Sequence, residues 1–213
     1  MSKRKYRQYC GFARALEVIG ERWVLMIVRD LLVGPKRFGE IHRGLPGIPT
    51  NILTRRLNEL EEAQIVERRL AVRPSRGFIY ALTSAGEELN DVVIAIGRWG
   101  AKRLGDPRAD ESITEDSIAT ALRSTFRPKN ARGVNTRYLL KVGEIEVSAH
   151  VHRGSLAVKR GPIDNPDLII EAGPAIRGLM AHEITPKEAI DRRLVRVTGN
   201  PALLDLFVAM FQI

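Results

Sequence analysis

The sequence has few residues of the types on which several common protein classes depend. It contains one cysteine, Cys10, which excludes an internal disulfide framework and a zinc site built on cysteine thiolates. Its longest purely apolar run is residues 23–28, far short of the roughly 20 residues that cross a bilayer. No apolar segment follows the basic residues 3–5, so we expect no secretory signal and a cytoplasmic location. With 44% apolar and 28% charged residues, the 213-residue chain has the composition of a folded protein.

Positive charge is abundant and unevenly distributed along the chain. The formal net charge is +9 at pH 7. The first 110 residues contain 20 basic and 13 acidic side chains, so most of the excess belongs to the first half. A basic half indicates a polyanionic partner, which is either a nucleic acid or an anionic membrane surface. Composition by itself does not choose between these two partners.

The first half has the pattern of several helices followed by a hairpin and a further helix. Apolar residues recur at helical spacing, and Gly20 divides the first periodic stretch into two helices. The predicted order is two helices over 11–32, a short helix over 36–43, a helix over 50–63, strands over 66–70 and 78–82, and a long helix over 84–104. Thr83 is the expected cap of the last helix. This order is that of a winged helix, an α-helical domain with a small β-hairpin wing.

The predicted helix over 50–63 has the composition of a helix that reads base pairs. Leucines 53, 57 and 60 share one stripe and are expected to pack inward. The opposite side and the first turn carry polar residues suited to base edges and phosphates, namely Thr50, Asn51, Thr54, Arg55 and Asn58. The first two turns contain no acidic residue, as is needed when the N-terminal end of a helix enters the major groove. The sequence therefore predicts a helix-turn-helix.

Further basic residues suit contacts with the DNA backbone. Arg73 and Arg76 lie at the tip of the predicted hairpin, where a wing contacts the backbone or the minor groove. Lys36 and Arg37, at the start of the preceding short helix, suit phosphate contacts. Each feature alone is equally typical of a helical bundle with a solvated basic face. The order helix, turn, helix, hairpin and helix favours the winged helix.

Several separate motifs resemble those of the HxlR-type winged helix-turn-helix transcription regulators, which are related to the MarR group. They are CGFARALEVIGERW over 10–23, RDLLVGP over 29–35, RFGEI over 37–41, LTRRL over 53–57, LEEA over 60–63 and YALT over 80–83. The resemblance covers about residues 8–104. It implies a homodimer, formed partly through its terminal helices, on double-stranded DNA with a near-palindromic operator. Where the family often has serine this chain has Pro49, so we expect no side-chain cap and a proline at the first helical position.

The second half has a strand pattern after a polar stretch over 105–110. We therefore predict domains over 1–108 and 109–213. Residues 144–152 alternate strictly between apolar and polar side chains, as in a strand with one buried face. The predicted strands are 136–142, 145–152, 155–160, 167–171 and 194–198, with helices near 174–182, 186–191 and after Asn200. This is an α+β domain with a largely antiparallel sheet.

The order of these strands and helices resembles an SCP2-type sterol-carrier domain over about residues 112–213. That family encloses an apolar tunnel between sheet and helices, so the resemblance implies a hydrophobic small-molecule effector. The candidate lining residues are Tyr138, Leu140, Val147, Ala149, Val151, Leu156 and Val158. These residues are equally consistent with an ordinary core, or with a domain that only enlarges a dimer interface.

Other candidate sites are few. Cys10 follows several basic residues, which lower a thiol pKa, so it is a candidate redox or electrophile sensor. The alternative is a small apolar residue at a dimer interface. His150 and His152 share a strand face, but no third ligand accompanies them, so we expect no metal site. No nucleophile–base motif or phosphate-binding loop is present, and we expect neither catalysis nor a cofactor.

The sequence therefore predicts a DNA-binding regulator with no membrane partner. A different function is a lipid or sterol-like carrier whose basic half docks on anionic membranes. Against this alternative, the basic residues belong to a helix-turn-helix and wing rather than to the border of a large apolar helix face.

Overall fold

The computed structural model describes residues 5–71, 77–105 and 107–213 of the chain. The chain forms two compact units, Met1–Val93 and Ile94–Ile213.

The first unit consists of a helix-turn-helix and a two-stranded wing. Its elements are α1 (Gly11–Ile19), α2 (Val24–Leu31), α3 (Phe38–Gly44), α4 (Thr50–Glu62), β1 (Val66–Leu70), β2 (Phe78–Leu82), α5 (Ser84–Glu87) and the start of α6 (Asn90–Ala101). Strands β1 and β2 pair antiparallel, with Val66 opposite Leu82. The predicted winged helix is confirmed, and the two strands have the predicted bounds.

The division between the units falls inside α6, before the predicted boundary at residue 108. Val93 packs into the core of the first unit. One turn later, Arg98 Nε donates to the carbonyl oxygen of Ser124 in the second unit, at 3.0 Å. The predicted division of roles between 1–108 and 109–213 stays a prediction.

The predicted long helix over 84–104 is wrong, because the chain makes a tight turn between α5 and α6. The amide of Leu89 donates to the carbonyl oxygen of Gly86, three residues earlier, at 3.2 Å. A Cβ atom on Gly86 would lie 2.2 Å from the carbonyl oxygen of Ile65, so only glycine fits there. The cap on α5 agrees with expectation, since Thr83 Oγ1 accepts from the Gly86 amide at 3.1 Å.

The start of α4 differs by one residue from the expectation. Pro49 is extended (ψ 141°) and precedes the helix instead of occupying its first position, and no side chain caps α4. The Pro49 carbonyl oxygen accepts from the amides of Ile52 and Leu53, at 3.0 and 2.9 Å. The carbonyl of Pro49 thus accepts the first hydrogen bonds of the helix, which defines a cap residue.

The core of the first unit contains the leucine stripe of α4. Leu53, Leu57 and Leu60 are at most 1% exposed, and they pack with Ile27 of α2 and Ile41 of α3 in one apolar cluster. Full burial of a leucine contributes about 1.5–3 kcal/mol relative to exposure. This packing turns the opposite side of α4 to solvent.

The second unit is a five-stranded sheet with helices. Its elements are α7 (Glu115–Thr125), a 3-10 helix (Pro128–Ala131), β3 (Asn135–Val142), β4 (Ile145–His152), β5 (Ser155–Arg160), β6 (Leu168–Ala172), α8 (Ala175–Met180), α9 (Pro186–Asp191), β7 (Val195–Gly199) and α10 (Ala202–Met210). The strand order is β5-β4-β3-β6-β7, in which only β3 and β6 run parallel. The predicted α+β domain with a largely antiparallel sheet is confirmed.

Helix α7 was missing from the sequence prediction, although a local signal for it exists. Thr114 Oγ1 accepts from the Ser117 amide at 3.2 Å, and Ser117 Oγ accepts from the Thr114 amide at 2.9 Å. This reciprocal pair is a capping box, in which serine takes the place of the usual Glu or Gln. Ala119 and Leu122 of α7 are buried in the unit's core.

Candidate nucleic-acid interface

The predicted base-reading residues lie together on the exposed side of α4. Thr50, Asn51, Thr54, Arg55 and Asn58 are all exposed. Their spacing along the helix puts the last four on one face, opposite the buried leucines. The face is about two turns long and includes the N-terminal end of the helix.

The polar side chains on this face make mainly local contacts. Asn51 Oδ1 accepts from the Ile52 amide at 2.9 Å, and Thr54 Oγ1 donates to the Thr50 carbonyl oxygen at 2.9 Å. Arg55 Nε lies 3.9 Å from Glu59 Oε1, and the Arg55 side chain is 45% exposed. Such exposed contacts are weak and can be exchanged for other hydrogen-bond partners.

Arg56, which sequence reasoning did not single out, fastens α4 to the turn between α1 and α2. Its side chain is 7% exposed. Nη2 lies 2.5 Å from Glu21 Oε2, Nη1 lies 2.6 Å from Glu59 Oε2, and Nε donates to the Arg22 carbonyl oxygen at 3.3 Å. The signal was present in the sequence, because Arg56 is three residues after Leu53 and therefore borders the inward stripe.

The structure corrects the prediction for Lys36. Its side chain is fully buried (0% exposed), so it does not present an ammonium group to a phosphate. Residue 36 precedes α3 and forms a β-bridge, in which its amide and carbonyl bond to those of Tyr80 at 2.9 and 2.7 Å. This pairing joins residues far apart in the sequence, and the helical pattern around residue 36 concealed it.

Arg37 occupies the position before α3 and remains half-buried. Its amide donates to Glu40 Oε2 at 2.6 Å, which caps the helix. Its Nη1 atom would lie 3.5 Å from a Cβ placed on Gly77, so the guanidinium is next to the start of β2. Arg37 is therefore close to the wing.

The predicted contacts at the wing tip, Arg73 and Arg76, lie outside the described residues. On β1, Arg68 pairs with Glu61 at 2.7 Å and Arg69 pairs with Glu67, so the arginines of this strand already have carboxylate partners.

Cys10 lies directly before α1 and is exposed. The nearby backbone amides of Ala13 and Phe12 hold the thiol pKa below its usual value. Sequence reasoning attributed a low pKa to neighbouring cations, of which residues 3 and 4 lie outside the described residues. An amide at a helix start stabilises a thiolate in the same way as it stabilises any other anion.

The predicted ligand-lining residues of the second unit belong to its packed core. Five of them are at most 2% exposed, namely Tyr138, Leu140, Val147, Ala149 and Val151, while Leu156 and Val158 are half-buried. The Tyr138 ring packs edge-on against Phe207, with centroids 5.3 Å apart. Its hydroxyl donates to the Leu203 carbonyl oxygen at 3.3 Å, and burial raises its pKa. Tyr138 thus packs against α10, and the other buried residues lie beside one another across paired strands.

The two histidines of β4 have neighbours but no metal-binding cluster. His150 Nε2 is 3.0 Å from Asn135 Oδ1, and the rings of His150 and His152 are 6.0 Å apart. In the described ranges no three or more His, Cys, Asp or Glu residues come together in a way that could hold a metal ion. Within the same ranges, no helix has both the length and the apolar character required to cross a bilayer.

Comparisons with known proteins concern mainly the first half of the chain. Residues 18–107 match the family model described as HxlR-like helix-turn-helix. The uncharacterized HTH-type transcriptional regulator YvaP of Bacillus subtilis is 34% identical over 96 residues, which are 45% of this chain and 88% of YvaP. The uncharacterized HTH-type transcriptional regulator Rv3095 of Mycobacterium tuberculosis is 38% identical over 94 residues. The match covers 44% of this chain and 59% of Rv3095, so the chain spans about three-fifths of that relative.

Among solved structures, the reduced form of the transcriptional regulator YodB from B. subtilis is similar to this chain. It is 35% identical, with a TM-score of 0.40. The match covers 45% of this chain and 94% of YodB.

Proposed function

Because the chain belongs to the HxlR-like helix-turn-helix family, we propose that it is a sequence-specific DNA-binding transcriptional regulator. The observation that carries this proposal is the exposed polar face of α4, which lies opposite a fully buried leucine stripe. The face presents hydrogen-bond donors and acceptors that suit base edges. Helix α4 carries no carboxylate over its first two turns.

In the proposed complex, the N-terminal end of α4 enters the major groove. Asn51, Thr54 and Arg55 contact base edges, while Thr50 and Asn58 contact bases or phosphates at the margins. Arg37 contacts a phosphate beside the wing, and Arg73 and Arg76 contact the backbone or minor groove. Because phosphate contacts release counterions, affinity should fall steeply as salt rises. Lys36 has no place in this proposal because it is buried.

A homodimer is the second part of the proposal. Val92, Ile96 and Trp99 of α6 are 40%, 49% and 62% exposed and follow each other at helical spacing. Phe12 of α1 is 74% exposed. An exposed apolar stripe of this kind is typical of an interface. A twofold-symmetric dimer would set the two α4 helices about one DNA turn apart, which suits a near-palindromic operator.

Control by a small molecule is the third part. A ligand alters DNA binding only if it binds the DNA-competent and incompetent states with unequal affinity. A hydrophobic effector in the second unit and a reactive Cys10 are the two candidate inputs. The exposure and low pKa of Cys10 support its reactivity. The burial of the predicted lining residues favours a core role for them, so an effector would bind elsewhere in that unit.

Selection from a random DNA library tests the first two parts together. The purified full chain should enrich a near-palindromic sequence at physiological salt, with two half-sites about one turn apart. Its preference for that sequence over a scrambled one should be about 10³-fold or more. Failure to enrich any sequence, combined with binding to anionic vesicles, would favour the alternative of a lipid carrier.

Arg55→Ala tests the role of the α4 face. We expect preference at one base pair to relax by about 1–3 kcal/mol, with little change in binding to scrambled DNA. Arg192→Ala is a matched control, since Arg192 is exposed but belongs to the second unit. An equal loss on all sequences would show that Arg55 contacts only phosphate.

A further inference from the structure

The second unit contains an open groove of about 780 Å³ that the proposed function does not use. It lies at the end of the sheet where β3 and β6 finish and β7 begins. Its volume is within the roughly 300–1,000 Å³ range of small-molecule sites. None of the seven residues predicted to line a ligand tunnel borders it.

Four of the residues that line the groove are apolar. They are Ile190 of α9, Leu194, and Val195 and Val197 of β7. Leu194 is 45% exposed, next to the buried Val195. An exposed aliphatic side chain at the margin of a cavity provides a surface for an apolar ligand.

The charged residues of the lining are predominantly cationic. They are Lys141, Arg193 and Arg196, together with one carboxylate, Glu171. Lys141 Nζ already pairs with Glu146 Oε1 at 2.9 Å, outside the groove lining. Arg196 Nη1 lies 3.6 Å from Glu171 Oε2, and the Arg196 side chain is 82% exposed, so this pair is weak.

Arg193 is the cation in the lining best suited to a new partner. It takes part in none of the ion pairs found in the described part of the chain. Its backbone is left-handed (φ 56°), where α9 ends. The amide of Arg193 donates to the Ile190 carbonyl oxygen at 2.9 Å, and that of Leu194 donates to the Ala189 carbonyl oxygen at 2.9 Å. These bonds fix the backbone that carries the guanidinium.

We infer that this groove binds a small amphipathic anion, a carboxylate with an apolar tail. The carboxylate would pair with Arg193 and Arg196, because a guanidinium can bind both carboxylate oxygens at once. The tail would lie against Ile190 and Leu194. The lining has three cations against one carboxylate, so a cationic ligand is disfavoured and a neutral one gains less from the arginines than an anion does.

Glu171 competes with the ligand in this arrangement. Its carboxylate is the partner of Arg196 in the unliganded groove, and it repels an incoming anion. Removing its charge by Glu171→Gln should therefore tighten binding. A ligand that bound only through nonspecific apolar contact would show no such effect.

Titration of the ¹⁵N-labelled full chain with octanoate, octan-1-ol and octylammonium tests this inference by NMR. Octanoate should shift the amides of residues 193–197 in a saturable manner. Octan-1-ol should bind at least tenfold more weakly, since it has neither the negative charge nor the two oxygens with which a carboxylate pairs with a guanidinium. Octylammonium should not bind in this groove. Equal affinity for the acid and the alcohol, or shifts scattered over the surface, would overturn the inference.

Three variants distinguish binding in the groove from nonspecific attraction of an anion to a basic surface. Arg193→Ala should weaken octanoate binding by about tenfold or more, and Glu171→Gln should strengthen it severalfold. Arg192→Ala removes the adjacent exposed arginine, which does not line the groove, and should leave binding unchanged. Equal losses from Arg192→Ala and Arg193→Ala would show attraction to a basic surface only.

A role of the groove in controlling DNA binding rests on the proposed function. The proposed ligand-binding site in the groove does not. Measuring affinity for the selected DNA with and without octanoate separates the two. Octanoate that binds as described but leaves DNA affinity unchanged would overturn the regulatory use alone. A chain that selects no DNA sequence but binds octanoate would overturn the proposed function and leave the site intact.

Discussion

Replacing Arg56 with alanine tests how much the ion pairs of this residue stabilise the packing of α4 in the first unit. Arg56 is nearly buried and bonded to two carboxylates, at 2.5 Å to Glu21 and 2.6 Å to Glu59. Removing one partner of a fully buried ion pair costs about 3–5 kcal/mol. Here the side chains of Glu21 and Glu59 are 52% and 35% exposed, so water can solvate both after the change. We therefore expect a smaller loss in the free energy of unfolding, about 2–3 kcal/mol.

Urea unfolding of the full chain, followed by tryptophan fluorescence, measures this loss. Trp99→Phe leaves Trp23, which packs on the first unit's core, as the only tryptophan. Arg56→Ala should lower the stability reported by Trp23, and the thermal midpoint should fall by about 10–20 °C for a domain of this size. Arg56→Met retains most of the side-chain volume and separates lost packing from lost charge.

Arg55→Ala is the matched control on the same helix. Arg55 is 45% exposed and 3.9 Å from its nearest carboxylate, so its loss should change stability by less than about 0.5 kcal/mol. A double-mutant cycle between Arg56 and Glu21 should give a coupling of about 1 kcal/mol or more. If Arg56→Ala cost less than about 0.5 kcal/mol, or Arg55→Ala cost as much, the anchoring role assigned to Arg56 would be refuted.

Two further predictions concern ionisable groups. Because the amides of Phe12 and Ala13 stabilise its thiolate, Cys10 should reach half-maximal alkylation by iodoacetamide at a lower pH in the folded chain than in urea; equal midpoints in the two states would contradict this. Burial raises the pKa of Tyr138 above its ordinary value of 10.0. Its contribution to stability is therefore complete below about pH 10 and is lost progressively as the pH rises from there through the raised pKa. Absorbance at 295 nm should show Tyr138 ionising only as the second unit unfolds, and Tyr138→Phe should remove that step.

Local patterns in the sequence were sufficient to predict much of the fold. Strands 66–70 and 78–82 had the predicted bounds because two short segments lie on either side of a sequence stretch that contains Pro74 and Gly77. The leucines of α4 were correctly predicted as buried because their spacing matches one side of a helix. Both signals depend on residues that are close in the sequence.

The errors arose where distant residues decide the outcome. Lys36 has the local context of a helix start, yet its backbone pairs with that of Tyr80 and its side chain is buried. The ligand tunnel implied by the SCP2 resemblance stays a prediction, and Tyr138, one of its predicted lining residues, packs against Phe207. An alternating strand has the same pattern beside a core and beside a cavity, so only the packed structure distinguishes them.

The sequence by itself determined the order of helices and strands and the side of α4 that faces solvent, because both follow from periodicity within one element. Only the tertiary structure decided which of two adjacent arginines anchors the helix. Arg56 meets Glu21, 35 positions away, while Arg55 remains exposed. Only the tertiary structure assembled the groove, because its cations come from β3, β7 and the end of α9. Side chains from separate elements come together only when the chain folds, so spacing along the sequence does not reveal them.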